Sequence, residues 1–265
     1  MNTNFEHNSA GKRLKSMLAV DFRRMFTMRL FYIMAGISLA VPILIIVMTT
    51  MMEGSVSVDP GTGVETVMHT FDSAWALIGT VGDASAGMDI MAMCNINLLY
   101  FGLAVLVGLF VSDDFKSGYA KNLFTVRAKK NDYVFSKTLV CFAAGALMIL
   151  IFFVGTVIGG AISGVPFALG SLTIGNIIMC LLSKILLVAV FVPIYLAASV
   201  AAKQKTWLAI GGSCAVGMLL FPMVPMITPL GATIMNVGLC LAGGALFSVG
   251  LGSVSTLLLR KRDLA

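Results

Sequence analysis

Reactive side chains are few in this chain and poorly spaced for catalysis. Its only histidines are His7 and His69, separated by a long apolar segment. Five cysteines, Cys94, Cys141, Cys180, Cys214 and Cys240, fall in separate apolar stretches without paired or metal-ligand spacing. Single buried thiols are expected from that scatter, not a disulfide framework. A phosphate-cradling P-loop requires Gly-x-x-x-x-Gly-Lys-Ser/Thr, because backbone amides and the Lys must surround the phosphates together. The Lys-Ser/Thr pairs at Lys15, Lys116, Lys137 and Lys205 all lack the Gly that must precede them. No two carboxylates fall inside one apolar stretch, so metal sites and buried acid–base pairs lack residues. Neither an enzyme nor a directly bound cofactor is expected.

The elements that must position these groups are membrane spans. Hydrophobic residues make up 58% of the chain and charged ones 11%, against about 25% charged in a typical soluble domain. Too little charge remains to cover a soluble core, so apolar surface must face lipid. Six stretches approach the roughly 20 residues needed to cross about 30 Å of hydrocarbon: 30–52, 91–111, 139–162, 174–200, 207–228 and 233–259. The fold expected is all-α and polytopic. Pro222, Pro225 and Pro229 interrupt the fifth stretch, so its regular helix should end near Phe221 and the rest be irregular or re-entrant. Small residues at Gly155-Gly159-Ser163, Gly160-Gly164 and Gly244-Ser248-Gly252 offer faces for close helix packing.

Charge placement supports the same count. Of the 18 basic residues, all but Lys184 fall before the first stretch, between the second and third, between the fourth and fifth, or after the sixth. The other three connections hold none. By the positive-inside bias, both termini and the basic loops are cytoplasmic. The net charge of +6 then reflects topology and contact with anionic lipid or a cytoplasmic partner, with no nucleic acid required. On the outer side, the long connection 53–90 carries Glu53, Asp59, Glu65, Asp72, Asp83 and Asp89, with a turn at Asp59-Pro60-Gly61. It is either a solvated loop or an attractor of cations. Phe71–Ile78, with Trp75, fits a short helix lying at the outer interface. Lys184 stands about 15 Å into the fourth span at 1.5 Å per residue. It either has a structural role, bonding carbonyls of a neighbouring span or snorkelling outward, or lines a polar path.

Two cytoplasmic segments carry further signal. Leu14, Met17, Leu18, Phe22, Met25 and Phe26 recur at three- and four-residue steps, with Lys12, Lys15, Arg23 and Arg24 on other faces. Such a basic amphipathic helix lies in the membrane interface and turns into the first span near Arg29. It serves as an anchor, or as part of a docking surface as well. Between spans two and three, Ser112-Asp113-Asp114 ends a helix, Gly118 breaks it, and Tyr119–Val126 forms about two turns before Arg127, Lys129 and Lys130. Asn131 or Asp132 is placed to cap the next helix.

The run Asp114-Phe-Lys-Ser-Gly-Tyr-Ala-Lys-Asn-Leu-Phe, the basic cluster 127–130 and Tyr133-Val-Phe-Ser-Lys137 resemble the first cytoplasmic loop of type-2 ABC-transporter permeases. Asp21-Phe-Arg-Arg resembles that family's elbow helix, and Leu259-Arg-Lys-Arg-Asp-Leu264 its exit from span six. The resemblance implies the membrane subunit of an ATP-driven exporter in a bacterial inner membrane. Residues 1–29 would form the elbow, 30–259 the six-span permease and 260–265 a tail. Two such subunits, identical or paralogous, would flank a path for peptides, drugs or lipid-like molecules, in contact with membrane lipid. Separate ATPase subunits beneath would bind ATP and Mg. Gly118, Tyr119, Leu123, Phe124, Arg127, Lys129 and Lys130 would form the ATPase-coupling segment. Leu14, Phe22, Arg23, Arg24 and Phe26 would form the elbow. The short Pro-rich link between spans five and six departs from the family pattern. An ion-coupled secondary transporter should carry membrane-embedded acids, which the six stretches lack; a non-transporting assembly or sensor protein is the other alternative.

Overall fold

A computed structural model describes residues 10–58, 65–67, 71–79, 95–125, 129–202 and 205–261. The turn at Asp59-Pro60-Gly61, the start of span two at Met91, Cys94, Arg127, Lys203 and most of the tail lie outside the described residues, as do both histidines.

Helices dominate. α1 (Ala10–Thr27) is separated from α2 (Arg29–Met51) by Met28 alone, whose extended backbone turns the chain into the first span. A small antiparallel ribbon follows, β1 (Val56–Val58) on β2 (Glu65–Val67). A 3-10 turn, Ile96–Leu98, leads into α3 (Leu99–Lys116). Then come α4 (Tyr119–Thr125), α5 (Lys130–Ser163), α6 (Ile174–Ala202), α7 (Thr206–Leu220), α8 (Met223–Ile227) and α9 (Ile234–Lys261).

Among the described residues, five helices are long and apolar enough to cross a membrane: α2, α3 with its 3-10 turn, α5, α6 and α9. The expected fifth stretch is divided. α7 has 15 residues, about 22 Å at 1.5 Å per residue, and stops where Pro222 cannot donate a backbone hydrogen bond. Pro225 sits in the first turn of α8, where no N–H is needed, and Pro229 follows its end. At the other extreme α5 has 34 residues, roughly 50 Å, against about 30 Å of hydrocarbon. It begins nine residues before the expected apolar stretch. Lys129 is its N-cap, without a side-chain cap bond; Asn131 and Asp132 lie within the first turn and do not cap.

Packing follows the small residues. α2 meets α5 where a methyl on Gly155 would come within 2.6 Å of the Leu39 carbonyl oxygen, and one on Gly159 within 3.0 Å of Ile43 Cα. α9 meets α6 at Gly244, where a methyl would lie 2.9 Å from Ala189 Cβ. Pro193 has no N–H for the carbonyl four residues back; Ser248 Oγ, from α9, donates to that Ala189 oxygen at 3.3 Å. Gly164 belongs to no packing face. It has φ +72° and closes α5 as a left-handed C-cap.

At the end of the bundle opposite the basic loops, Ala74–Leu77 forms a 3-10 turn. It does not lie on the surface as an interfacial helix would. Ala74, Leu77 and Ile78 are buried, Ala74 N donates to Pro166 O at 3.1 Å, and Trp75 packs on Phe153 and Phe167. The turn is a plug because its apolar residues are consecutive and find cover between α5 and its following loop.

Candidate coupling site

The polar core of the molecule sits at the basic end, and it starts with Asp21. In α1 this residue falls three positions after Leu18 and four after Met17, inside the apolar stripe. The stripe faces protein: Met17 and Met25 are buried, and Leu14, Leu18, Phe22 and Phe26 are half-buried, packing toward α5 and α2. Asp21 is therefore carried into the bundle. Its Oδ2 accepts from Ser136 Oγ at 2.6 Å and its Oδ1 from Lys137 Nζ at 2.8 Å.

Lys137 links two carboxylates. Its Nζ also lies 2.7 Å from Asp114 Oδ2, on α3, and 3.9 Å from the centre of the Phe110 ring. Tyr133 OH donates to the same Asp114 oxygen at 2.9 Å. Tyr133, Ser136 and Lys137 stand at i, i+3 and i+4, hence on one face of α5. Arg24, three residues after Asp21, closes the circuit by donating from Nη1 to Asp114 Oδ1 at 2.6 Å. Its contact with the exposed Asp113 is longer, 3.6 Å. The side chains of Lys137 and Asp114 have no solvent exposure and that of Asp21 has 1%. Two buried carboxylates thus face a fully buried Lys137 and a half-buried Arg24, each oxygen of Asp21 and Asp114 with a donor. Removing one partner of such a group costs about 3–5 kcal/mol, because an uncompensated charge stays buried.

The short helix α4 is joined to this network at both ends. Gly118 has φ +72°, a backbone that favours glycine, and it reverses the chain directly after α3. Tyr119 then lies over Arg24, 4.2 Å from guanidinium carbon to ring centre. At the far end Phe124 meets the Tyr133 ring edge-on at 5.4 Å. Burial works against the Arg24 charge, but Asp114 more than offsets it by charge and hydrogen bond, and the pKa is raised. Burial, then the charges of Asp21 and Asp114, push the Tyr119 phenol up as well. Neither group titrates near neutrality. The arrangement offers no nucleophile and no open position. It fixes α1, α3, α4 and α5 to one another.

The sequence reading and the structure agree on some of these residues only. Gly118 breaks the helix as expected, and α4 ends at Thr125. Leu123 and Phe124 are half-buried against the chain's own core, while Lys121, Asn122 and Thr125 form the exposed face of α4. Lys129 and Arg23 are exposed. Lys130 is engaged: its Nζ donates to Leu259 O at 2.6 Å, supplying a cation to the C-terminal end of α9. Arg24, assigned to a polar face of the elbow, turns inward. Asp114 and Lys137, read as the two ends of the first cytoplasmic loop, lie within α3 and α5, which extend past their apolar runs, as the break at Gly118 and a helix start near Asn131 imply.

Lys184, on α6, is the second buried ammonium. Its Nζ donates to Asn97 Oδ1 at 2.8 Å and Thr228 Oγ1 at 2.9 Å, and Tyr100 OH donates to its backbone oxygen at 2.9 Å. It does not snorkel; it bonds the side-chain carbonyl of Asn97, in the neighbouring second span, and the Thr228 hydroxyl. It ties together the two irregular turns before α3 and after α8. No carboxylate among the described residues lies within ion-pair distance of it.

Comparison with known proteins adds one finding. The sequence signature described as "ABC-2 family transporter protein" matches residues 22–220, well over half of the chain. That range takes in Arg24, Asp114, Tyr119, Lys137 and Lys184. No curated protein and no solved structure matches. With the apolar helices and the signature in register, the chain is a membrane protein that belongs to the ABC-2 transporter family.

Proposed function

We propose that this chain is the permease subunit of an ATP-driven exporter in a bacterial inner membrane. In this reading it has six spans, with α7 and α8 together making the fifth, and both termini in the cytoplasm. It pairs with a second membrane subunit, identical or paralogous, and works with separate ABC ATPase subunits that hold the ATP and Mg. α4 is its coupling helix. The observation that carries the reading is the Lys137 bridge between Asp21 and Asp114, with Arg24 stacked on Tyr119. Through it, a push on α4 is delivered to α1, α3 and α5 as one unit, since the helices share a buried charge network.

In this mechanism the ATPase touches the exposed side of α4, and Lys121 with Lys129 steers association in a salt-dependent way. Leu123 supplies an apolar anchor at the rim; Phe124 serves mainly to hold α4 against Tyr133. Tagged full-length chain, expressed with a candidate stand-alone ABC ATPase from the same genome, tests the assignment by co-purification. Leu123→Asp is expected to abolish ATPase recovery while the chain still inserts, and Lys121→Glu to weaken recovery most at low salt, with the gap from wild type closing as salt rises. Full recovery in both variants would remove α4 from the ATPase interface.

A further inference from the structure

Beside the network lies a groove of about 700 Å³ between α5 and α9, floored by Ala189 of α6. Phe135, Leu139 and Phe142 line one wall, and Val249 and Leu257 the other. Hydroxyls also line it, yet each donates within the protein: Thr138 to Val134 O, Ser253 to Val249 O, Thr256 to Gly252 O and Ser248 to Ala189 O. What remains for an occupant is an apolar channel, not a polar path. It runs from Arg260 to Ser248, about 18 Å along α9 at 1.5 Å per residue, close to one leaflet, or half of the roughly 30 Å of hydrocarbon. Only its mouth is charged. Arg260 is exposed there and has no ion pair or hydrogen bond among the described side chains, with Asn131 opposite. Lys130, nearby, is already spent on Leu259 O.

We infer that this groove seats one acyl chain of an anionic phospholipid from the leaflet at the basic end, with the lipid phosphate on Arg260. Apolar length matched to one leaflet and, among the described lining residues, one guanidinium at the mouth fit that molecule. A second copy of the chain would need an acidic side chain for Arg260 and a ridge to fill the channel, an occupant that the self-crosslinking measurement below distinguishes. The inference requires that the chain spans a membrane, not that it serves an ATPase, so the two can fail separately.

The test uses full-length chain in mild detergent, offered phosphatidylglycerol or phosphatidylcholine of identical acyl composition, with bound lipid counted by native mass spectrometry. Phosphatidylglycerol should be retained preferentially. Arg260→Gln should lower its retention on the order of fivefold, the effect of one basic residue near a headgroup, with Arg260→Lys keeping most of it. Arg29→Gln, an exposed basic residue away from the groove, should leave retention unchanged. Ser253→Leu and Gly252→Leu should lose both lipids by filling the channel. Equal retention of the two lipids would overturn the inference. So would equal losses in Arg260→Gln and Arg29→Gln, wild-type retention in both filled variants, or efficient self-crosslinking of Leu257→Cys chains in membranes.

Discussion

Lys137 and Lys184 are both fully buried lysines, and they are stabilised in opposite ways. Lys137 faces two carboxylates from two other helices, and Arg24 balances the charge. Lys184 has an amide oxygen and a hydroxyl. The first site compensates charge with charge, so it binds four elements tightly and tolerates no single loss. The second holds a charge with dipoles, which stabilises it less, and it pins two irregular turns that have little regular hydrogen bonding of their own. A buried ammonium is thus a rigid junction at the basic end and a local staple at the other.

The largest effect should come from Lys137→Met. It strands Asp21 beside Ser136 and should lower stability by about 3–5 kcal/mol, read as earlier thermal unfolding in detergent. Adding Asp21→Asn removes the stranded charge and should recover a substantial part of the loss. An additive double variant would mean that the two do not act as a pair.

Next is Asn97→Leu. It leaves the Lys184 ammonium short of an acceptor, and hydrogen bonds to charged groups contribute about 1.5–3 kcal/mol. Lys184→Met removes the charge itself, and Thr228 still donates to Val224 O, so the milder loss is expected there. The reverse order would show that Lys184 has a counter-charge outside its described partners.

Much of this was legible. The apolar runs gave the five long apolar helices, the prolines gave the end of α7 near Phe221, and Gly118 gave the break before α4. The network was not, although its parts were visible. Asp21 interrupts an otherwise apolar stripe, and Tyr133, Ser136 and Lys137 share a helix face. Two features hid their meeting. Hydropathy ends a span where apolar residues end, so Asp114 and Lys137 fall outside the apolar runs and read as part of a solvated cytoplasmic loop, not of a buried core. Nothing in local spacing says that residues 21, 114 and 137 converge. Buried ion pairs across helices are tertiary facts.

A smaller contrast lies within α9. Gly244→Leu should disrupt the α6 contact and reduce the yield of folded protein, because Ala189 Cβ is already within 2.9 Å of a methyl there. Gly252→Leu should be tolerated, since Val134 lies 3.8 Å away and the groove is open. Equal loss of folded yield would put both glycines in tight contacts. The smallest effect should be Asp113→Asn, whose 3.6 Å contact with Arg24 is exposed and stabilises by about 0–1 kcal/mol. Thermal unfolding of that variant should match wild type, and a loss approaching that of Lys137→Met would extend the network to the surface.

Whether the basic-end junction transmits work is answered by ATP hydrolysis in lipid with the co-purified ATPase, compared for wild type, Lys137→Met and the Asp21→Asn/Lys137→Met pair. A coupling junction requires that Lys137→Met still recover the ATPase through α4 yet lose stimulation of hydrolysis, and that the pair regain part of it. Wild-type stimulation in Lys137→Met would contradict the coupling role, leaving the network as a fold determinant only.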